Sequence, residues 1–122
     1  LTARILVVDD DPRNRMLFEA LMEAEGYVAS SVDNGEDALA HVALQHPDLI
    51  LLDVMMPGMS GYDVAQALKA DPATANIPLV MVTALGDAAA RLAALEAGAE
   101  DFLTKPIDQA ELWLTVRNLL RQ

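Results

Sequence analysis

Residues 4–12 read RILVVDDDP: a basic residue, four apolar residues, three aspartates and a proline. The β-branched run Ile5 to Val8 has the length and composition of a buried strand. Asp11 and Pro12 open a helix, with Asp11 as N-cap and Pro12 at the first helical position. Strand, acidic turn and helix thus follow one another within a few residues. One carboxylate is explained by the cap. The other two repel each other and the cap, so they need a reason of their own.

The same unit repeats outward along the chain. The first helix carries Met16, Leu17, Ala20, Leu21 and Ala24 as its expected apolar face, and Gly26 ends it. YVASSV (27–32) reads as a second strand, and DNGEDALAHVALQ (33–45) gives a second helix, closed off by Pro47. DLILLD (48–53) is a third strand, apolar enough in its middle for both faces to be covered. A loop with Pro57, Gly58 and Gly61 leads into a helix over about 62–70, and LVMVT (79–83) is the fourth strand. A small-residue helix over about 88–97 is capped by Gly98, and DFLT (101–104) is the fifth strand. The last helix opens with a capping-box pattern, Asp108 with Glu111, and runs to the end. Such alternation predicts an α/β fold: one doubly wound (βα)5 domain over residues 1–122, its parallel sheet covered by helices on both sides.

Composition agrees with this and narrows the function. The 122 residues are 53% apolar and 22% charged, enough for one core. No apolar run approaches a membrane span, and no export signal precedes the first strand, so the expectation is a cytoplasmic protein with no membrane partner. A net charge of −11 argues against direct nucleic-acid binding. With no cysteine there is neither a disulfide framework nor a thiolate metal site.

In open doubly wound sheets, ligands bind beyond the carboxyl ends of the strands where strand order reverses. Strand one ends in Asp9, Asp10 and Asp11; strand three in Asp53; strand four in Thr83; strand five in Thr104, Lys105 and Pro106. A flavodoxin-like order, 2-1-3-4-5, places strands one and three side by side there. Each residue alone is ordinary turn chemistry, but carboxylates, a hydroxyl and a lysine at one edge suit a hard divalent cation. Mg²⁺, which takes few carboxylates and completes its shell with water or phosphate, fits better than a full Ca²⁺ cage or a zinc site. With Asp9 and Asp10 on the metal, Asp53 is left as a nucleophile able to form an acyl phosphate. Mg²⁺, Lys105 and the Thr83 hydroxyl then face the phosphoryl oxygens.

These residues resemble a known family. ILVVDDDP, PDLILLDVMMPGMSG, IPLVMVTAL and GAEDFLTKPI are similar to the successive signatures of the two-component response-regulator receiver domain. The wording is similar in particular to receivers of diguanylate-cyclase-type regulators. The resemblance implies a phosphoacceptor signalling domain, not a metabolic enzyme, that assists its own loading and hydrolysis. Asp53 is then the phosphoacceptor, and Asp9, Asp10, Asp53 and the Met55 carbonyl form the Mg²⁺ site, Asp10 directly and Asp9 largely through water. Lys105 binds phosphate, with a cis bond to Pro106, while Thr83 and Phe102 are the switch pair, the ring rotating inward as the loop Ala84 to Asp87 closes on the site. The implied partners are a histidine kinase or histidine phosphotransfer protein, an output domain or downstream protein, and a homodimer formed on phosphorylation. Asp11 keeps its role as helix cap.

Two positions depart from the family pattern. Phe102 stands where many relatives have tyrosine, which leaves ring packing as its only readout, and Thr115 stands where regulators dimerising through their last two helices tend to carry arginine. His41 and His46 read as surface or cap residues, Trp113 as helix packing, and Met55, Met56 and Met59 as either a soft docking surface or packing. The competing enzyme reading is an aspartate-nucleophile phosphohydrolase of haloacid-dehalogenase type, with Asp9 as nucleophile and Asp11 as acid. A degenerate receiver that only binds partners is the third.

Overall fold

β1 (Arg4–Val8), β2 (Val28–Val32), β3 (Leu49–Asp53), β4 (Leu79–Thr83) and β5 (Asp101–Thr104) alternate with α1 (Pro12–Ala24), α2 (Gly35–Leu44), α3 (Gly61–Ala70), α4 (Ala88–Glu96) and α5 (Gln109–Leu120). The computed structural model describes residues 2–84 and 86–121. All pairings are parallel and the order is β2-β1-β3-β4-β5, the flavodoxin-like order expected.

Successive strand side chains point to opposite faces, and here both faces are packed. Leu6, Val8, Ile50, Leu52 and Met81 meet Ala38, Val42, Val64, Leu68, Ala90 and Ala94 from α2, α3 and α4. Ile5, Val7, Leu49, Leu51, Val80 and Val82 meet Phe18 and Met22 of α1 and Leu112 and Val116 of α5. β3 is buried along its whole length, as its sequence requires. Each fully buried aliphatic side chain contributes roughly 1.5–3 kcal/mol, which fixes the register and so the alignment of the strand ends.

The face expected for α1 is corrected. Met16 is 72% exposed and Leu17 51%, Ala20 and Ala24 also face out, and the buried residues are Phe18 and Met22, with Leu21 half-buried beside them. The helix is turned so that the large Phe18 ring and Met22, one turn later, cover the sheet; this brings Arg15 onto the same inward side. In α4 the buried stripe is Ala90 and Ala94, continued by Ala97, while Leu92 and Leu95 face solvent. Trp113 packs with the α1 side and donates to the Leu21 carbonyl at 3.4 Å. The Asp108 half of the last helix's expected capping box is formed, its carboxylate accepting from Glu111 N. The reciprocal box occurs at Ser60 and Asp63 instead, opening α3. α5 ends at Leu120; Gln122, to which it was expected to run, lies outside the described residues.

Candidate functional site

Register places the site. Val8 pairs with Leu52, so the next residues, Asp9 and Asp53, leave adjacent strands side by side. Thr83 pairs with Thr104, and the Lys105 N–H donates to the Thr83 carbonyl at 2.7 Å, carrying Lys105 across the same edge. The Lys105–Pro106 bond is cis. One carboxylate oxygen from each of Asp9, Asp10 and Asp53 lies within 4.8 Å of the others. The sequence-predicted acidic trio is therefore brought together, with Lys105 Nζ 3.0 Å from Asp9 Oδ2 and 3.5 Å from Asp53 Oδ1.

The three carboxylates are not equivalent. Asp9 is 2% exposed and both its oxygens are engaged: Oδ1 accepts from Asp11 N at 2.9 Å and Oδ2 from Lys105. Asp10 is exposed. Asp53 is 5% exposed, and the backbone around it explains why. A side chain at Gly61 would collide with the Asp53 carbonyl oxygen and the Val54 Cα, so only glycine lets α3 start against this strand end. The Gly61 N–H donates to the Val54 carbonyl at 2.9 Å.

Burial, the Asp9 charge and, more weakly, the Asp10 charge push the Asp53 carboxyl up to about 6, against the lowering pull of Lys105. Burial also acts to lower Lys105, but its bond to Asp9 and the charges of Asp53 and Asp9 outweigh that and hold it above its ordinary value. A cluster of carboxylates whose repulsion one lysine does not cancel fits a small divalent cation with oxygen preference, so the donor set agrees with Mg²⁺.

The remaining expected residues fall as follows. Thr83 is fully buried at the end of β4. Met55 is 61% exposed, Met56 is buried and Met59 is half-buried against the core, so the three methionines divide between surface and packing. Phe102 is 7% exposed and sits in the cluster that holds Met81, Ala90 and Ala94. Its side chain is buried in this structure. Leu85, within the loop expected to close on the site, lies outside the described residues. Asp11 caps α1, accepting from Arg13 N at 2.9 Å. That cap gives Asp11 a structural role and both Asp9 oxygens are engaged, which does not favour the phosphohydrolase reading.

Two residues of the site had no place in the sequence reading. Gly61 was seen only as a loop residue, although a glycine directly before an apolar helix and after a serine is a signal of close approach. Arg15, whose Nη1 donates to the Asp9 carbonyl at 2.8 Å, gave no signal beyond its charge.

Comparison with known proteins agrees with this geometry. The family model described as the response regulator receiver domain matches residues 5–117. The response regulator PleD of Caulobacter vibrioides is 53% identical over 121 residues, which cover 99% of this chain and 27% of PleD. The probable transcriptional regulator ycf27 of Cyanophora paradoxa is 44% identical over 119 residues, 98% of this chain and 48% of that protein. The chain thus spans about a quarter to a half of the length of the curated relatives it matches. Among solved structures, the receiver domain of the sensor histidine kinase PA1611 from Pseudomonas aeruginosa, which has a magnesium ion coordinated in its active site cleft, superposes with a TM-score of 0.92 at 30% identity, covering 100% of both chains.

Proposed function

The chain belongs to the response regulator receiver domain family, and from that premise we propose that residues 1–122 form one receiver domain that takes a phosphoryl group onto Asp53. The donor is a phosphohistidine on a histidine kinase or phosphotransfer protein. An Asp53 oxygen forms the new P–O bond as the P–N bond to the histidine breaks; the electron pair of that bond stays on the imidazole nitrogen, which takes up a proton. The observation that carries this reading is the Asp53 carboxylate: buried, raised to about 6, and 3.5 Å from Lys105. Burial strips it of water, and the lysine keeps a positive charge where phosphoryl oxygens arrive.

Asp9, Asp10, Asp53 and the Met55 carbonyl are the residues that hold Mg²⁺ in this reading. The cation supplies charge neutralisation between the carboxylates and the incoming phosphoryl group. Asp9, with both oxygens engaged, anchors Lys105 and would reach the cation through water, whereas exposed Asp10 would be its direct ligand. Thr83 offers its hydroxyl to a phosphoryl oxygen. Because Phe102 is already packed inside, phosphorylation stabilises this arrangement of α4, β5 and α5 instead of creating it. The output is a change in affinity for a downstream domain or protein, or for a second copy of the chain. No helix among the described residues is long and apolar enough to cross a membrane, and the cytoplasm is the compartment proposed.

The test is phosphoryl incorporation from a small phosphodonor such as acetyl phosphate. It is expected to require Mg²⁺, to vanish in Asp53→Asn and to survive in Asp11→Asn. Incorporation that persists in Asp53→Asn contradicts the reading.

A further inference from the structure

Asp9 is held at every polar atom. Its N–H donates to the Val32 carbonyl at 3.2 Å, its carboxylate oxygens accept from Asp11 N and Lys105 Nζ at 2.9 and 3.0 Å, and its carbonyl accepts from Arg15 Nη1 at 2.8 Å. The last bond is the unusual one. The carbonyl lies just beyond the last residue of β1, where the ladder stops, and a buried acceptor there needs a partner. Arg15 supplies it from the second turn of α1. It lies three residues before Phe18 and seven before Met22, the buried residues of that helix, on the side that faces the sheet. Helical side chains lean toward the N-terminus of their helix, so the guanidinium is directed back to the strand end.

Among the described residues no carboxylate lies within ion-pair distance of Arg15. Nor is it among the charges that move the Asp53 carboxyl, which are those of Asp9, Lys105 and Asp10. A cation placed next to an acidic cluster yet bonded to a carbonyl acts through geometry. We propose that Arg15 is a positioning residue for the divalent-cation site. By fixing the Asp9 carbonyl it sets the Asp9–Asp10 turn and so the direction in which the exposed Asp10 carboxylate points. This rests on the reading of Asp9, Asp10 and Asp53 as the metal site.

The two roles Arg15 could have predict opposite signs. As a mere positive charge it repels a dication, and removing it tightens Mg²⁺ binding. As a positioning residue it preorganises the ligands, and removing it weakens binding; groups that orient metal ligands are typically worth about 10-fold or more in affinity. Mg²⁺ is titrated into wild-type protein, Arg15→Met, Arg15→Lys and Asp10→Asn by calorimetry, with a melting curve for each. Arg15→Gln takes the place of Arg15→Met if that variant does not fold. The expected result is a dissociation constant about 10-fold higher in Arg15→Met, recovered in large part by Arg15→Lys, which keeps a donor for the carbonyl. In metal-free protein, the amide resonances of Asp10 and Asp11 shift in Arg15→Met while those of α5 stay in place. Unchanged or tighter Mg²⁺ binding in folded Arg15→Met overturns the inference. If wild-type protein binds no Mg²⁺, the site reading fails as a whole; if it does, and Asp10→Asn is impaired while Arg15→Met is not, only the positioning role fails.

Discussion

Replacing Asp53 by asparagine is expected to stabilise the metal-free protein, and by an amount that depends on pH. The folded carboxyl titrates near 6 against 3.8 for the free group, chiefly because it is buried and secondly because Asp9 is beside it. An acid whose folded pKa is raised binds its proton more tightly in the folded state. The stability it lends is complete below pH 3.8 and is lost as pH rises through about 6. The interval corresponds to about 3 kcal/mol at neutral pH, falling to about 1 kcal/mol at pH 4.5. Asparagine keeps the shape and an acceptor for Lys105 but never ionises, so it escapes the loss. For 122 residues the gain is roughly 10 °C in Tm at pH 7.5. The assay is thermal unfolding followed by circular dichroism in chelator, at pH 7.5 and pH 4.5, for wild type and Asp53→Asn. The gap should shrink on acidification, and adding Mg²⁺ at pH 7.5 should narrow it by stabilising wild type. A gap that is absent at pH 7.5, or the same at both pH values, refutes the electrostatic account of this strand end.

Three further outcomes are expected. Asp10→Asn weakens Mg²⁺ binding by tens-fold or more, since a charge opposing the dication is lost, whereas Asp11→Asn leaves it unchanged because asparagine caps α1 equally well; equal loss in both variants contradicts the division of roles. Gly61→Ala lowers stability by about 1–3 kcal/mol in urea unfolding, because its methyl group meets the Asp53 carbonyl, and an unchanged midpoint contradicts that close approach. Thr83→Ala still accepts a phosphoryl group but loses most of the amide shifts that beryllium trifluoride induces from Ala84 through Phe102, while Phe102→Tyr is phosphorylated normally and changes partner affinity only modestly. Parent-like shifts in Thr83→Ala contradict the hydroxyl link.

Most of the fold could be read from the chain because each βα unit carries its own punctuation. β4 and β5 fall on the residues expected, and β1, β2 and β3 within a residue of them. The grouping of Asp9, Asp10, Asp53 and Lys105 was legible for the same reason: a sheet of known order brings its strand ends together. The losses came where packing decides among equals. In α1, Met16 and Leu17 are as apolar as Leu21 and Met22, and only docking of the Phe18 ring selects the buried face. Arg15 and Gly61 escaped notice because what they do is defined by a carbonyl on another element: one donates to Asp9, the other leaves room for Asp53.

Asp53 is the residue proposed to carry the phosphoryl group. Protein loaded with acetyl phosphate and Mg²⁺ is treated with borohydride, which reduces an aspartyl phosphate to homoserine, and the peptides are then sequenced by mass spectrometry. Homoserine is expected at position 53 and at no other aspartate. Homoserine at position 9, or none anywhere after Mg²⁺-dependent loading, contradicts that assignment.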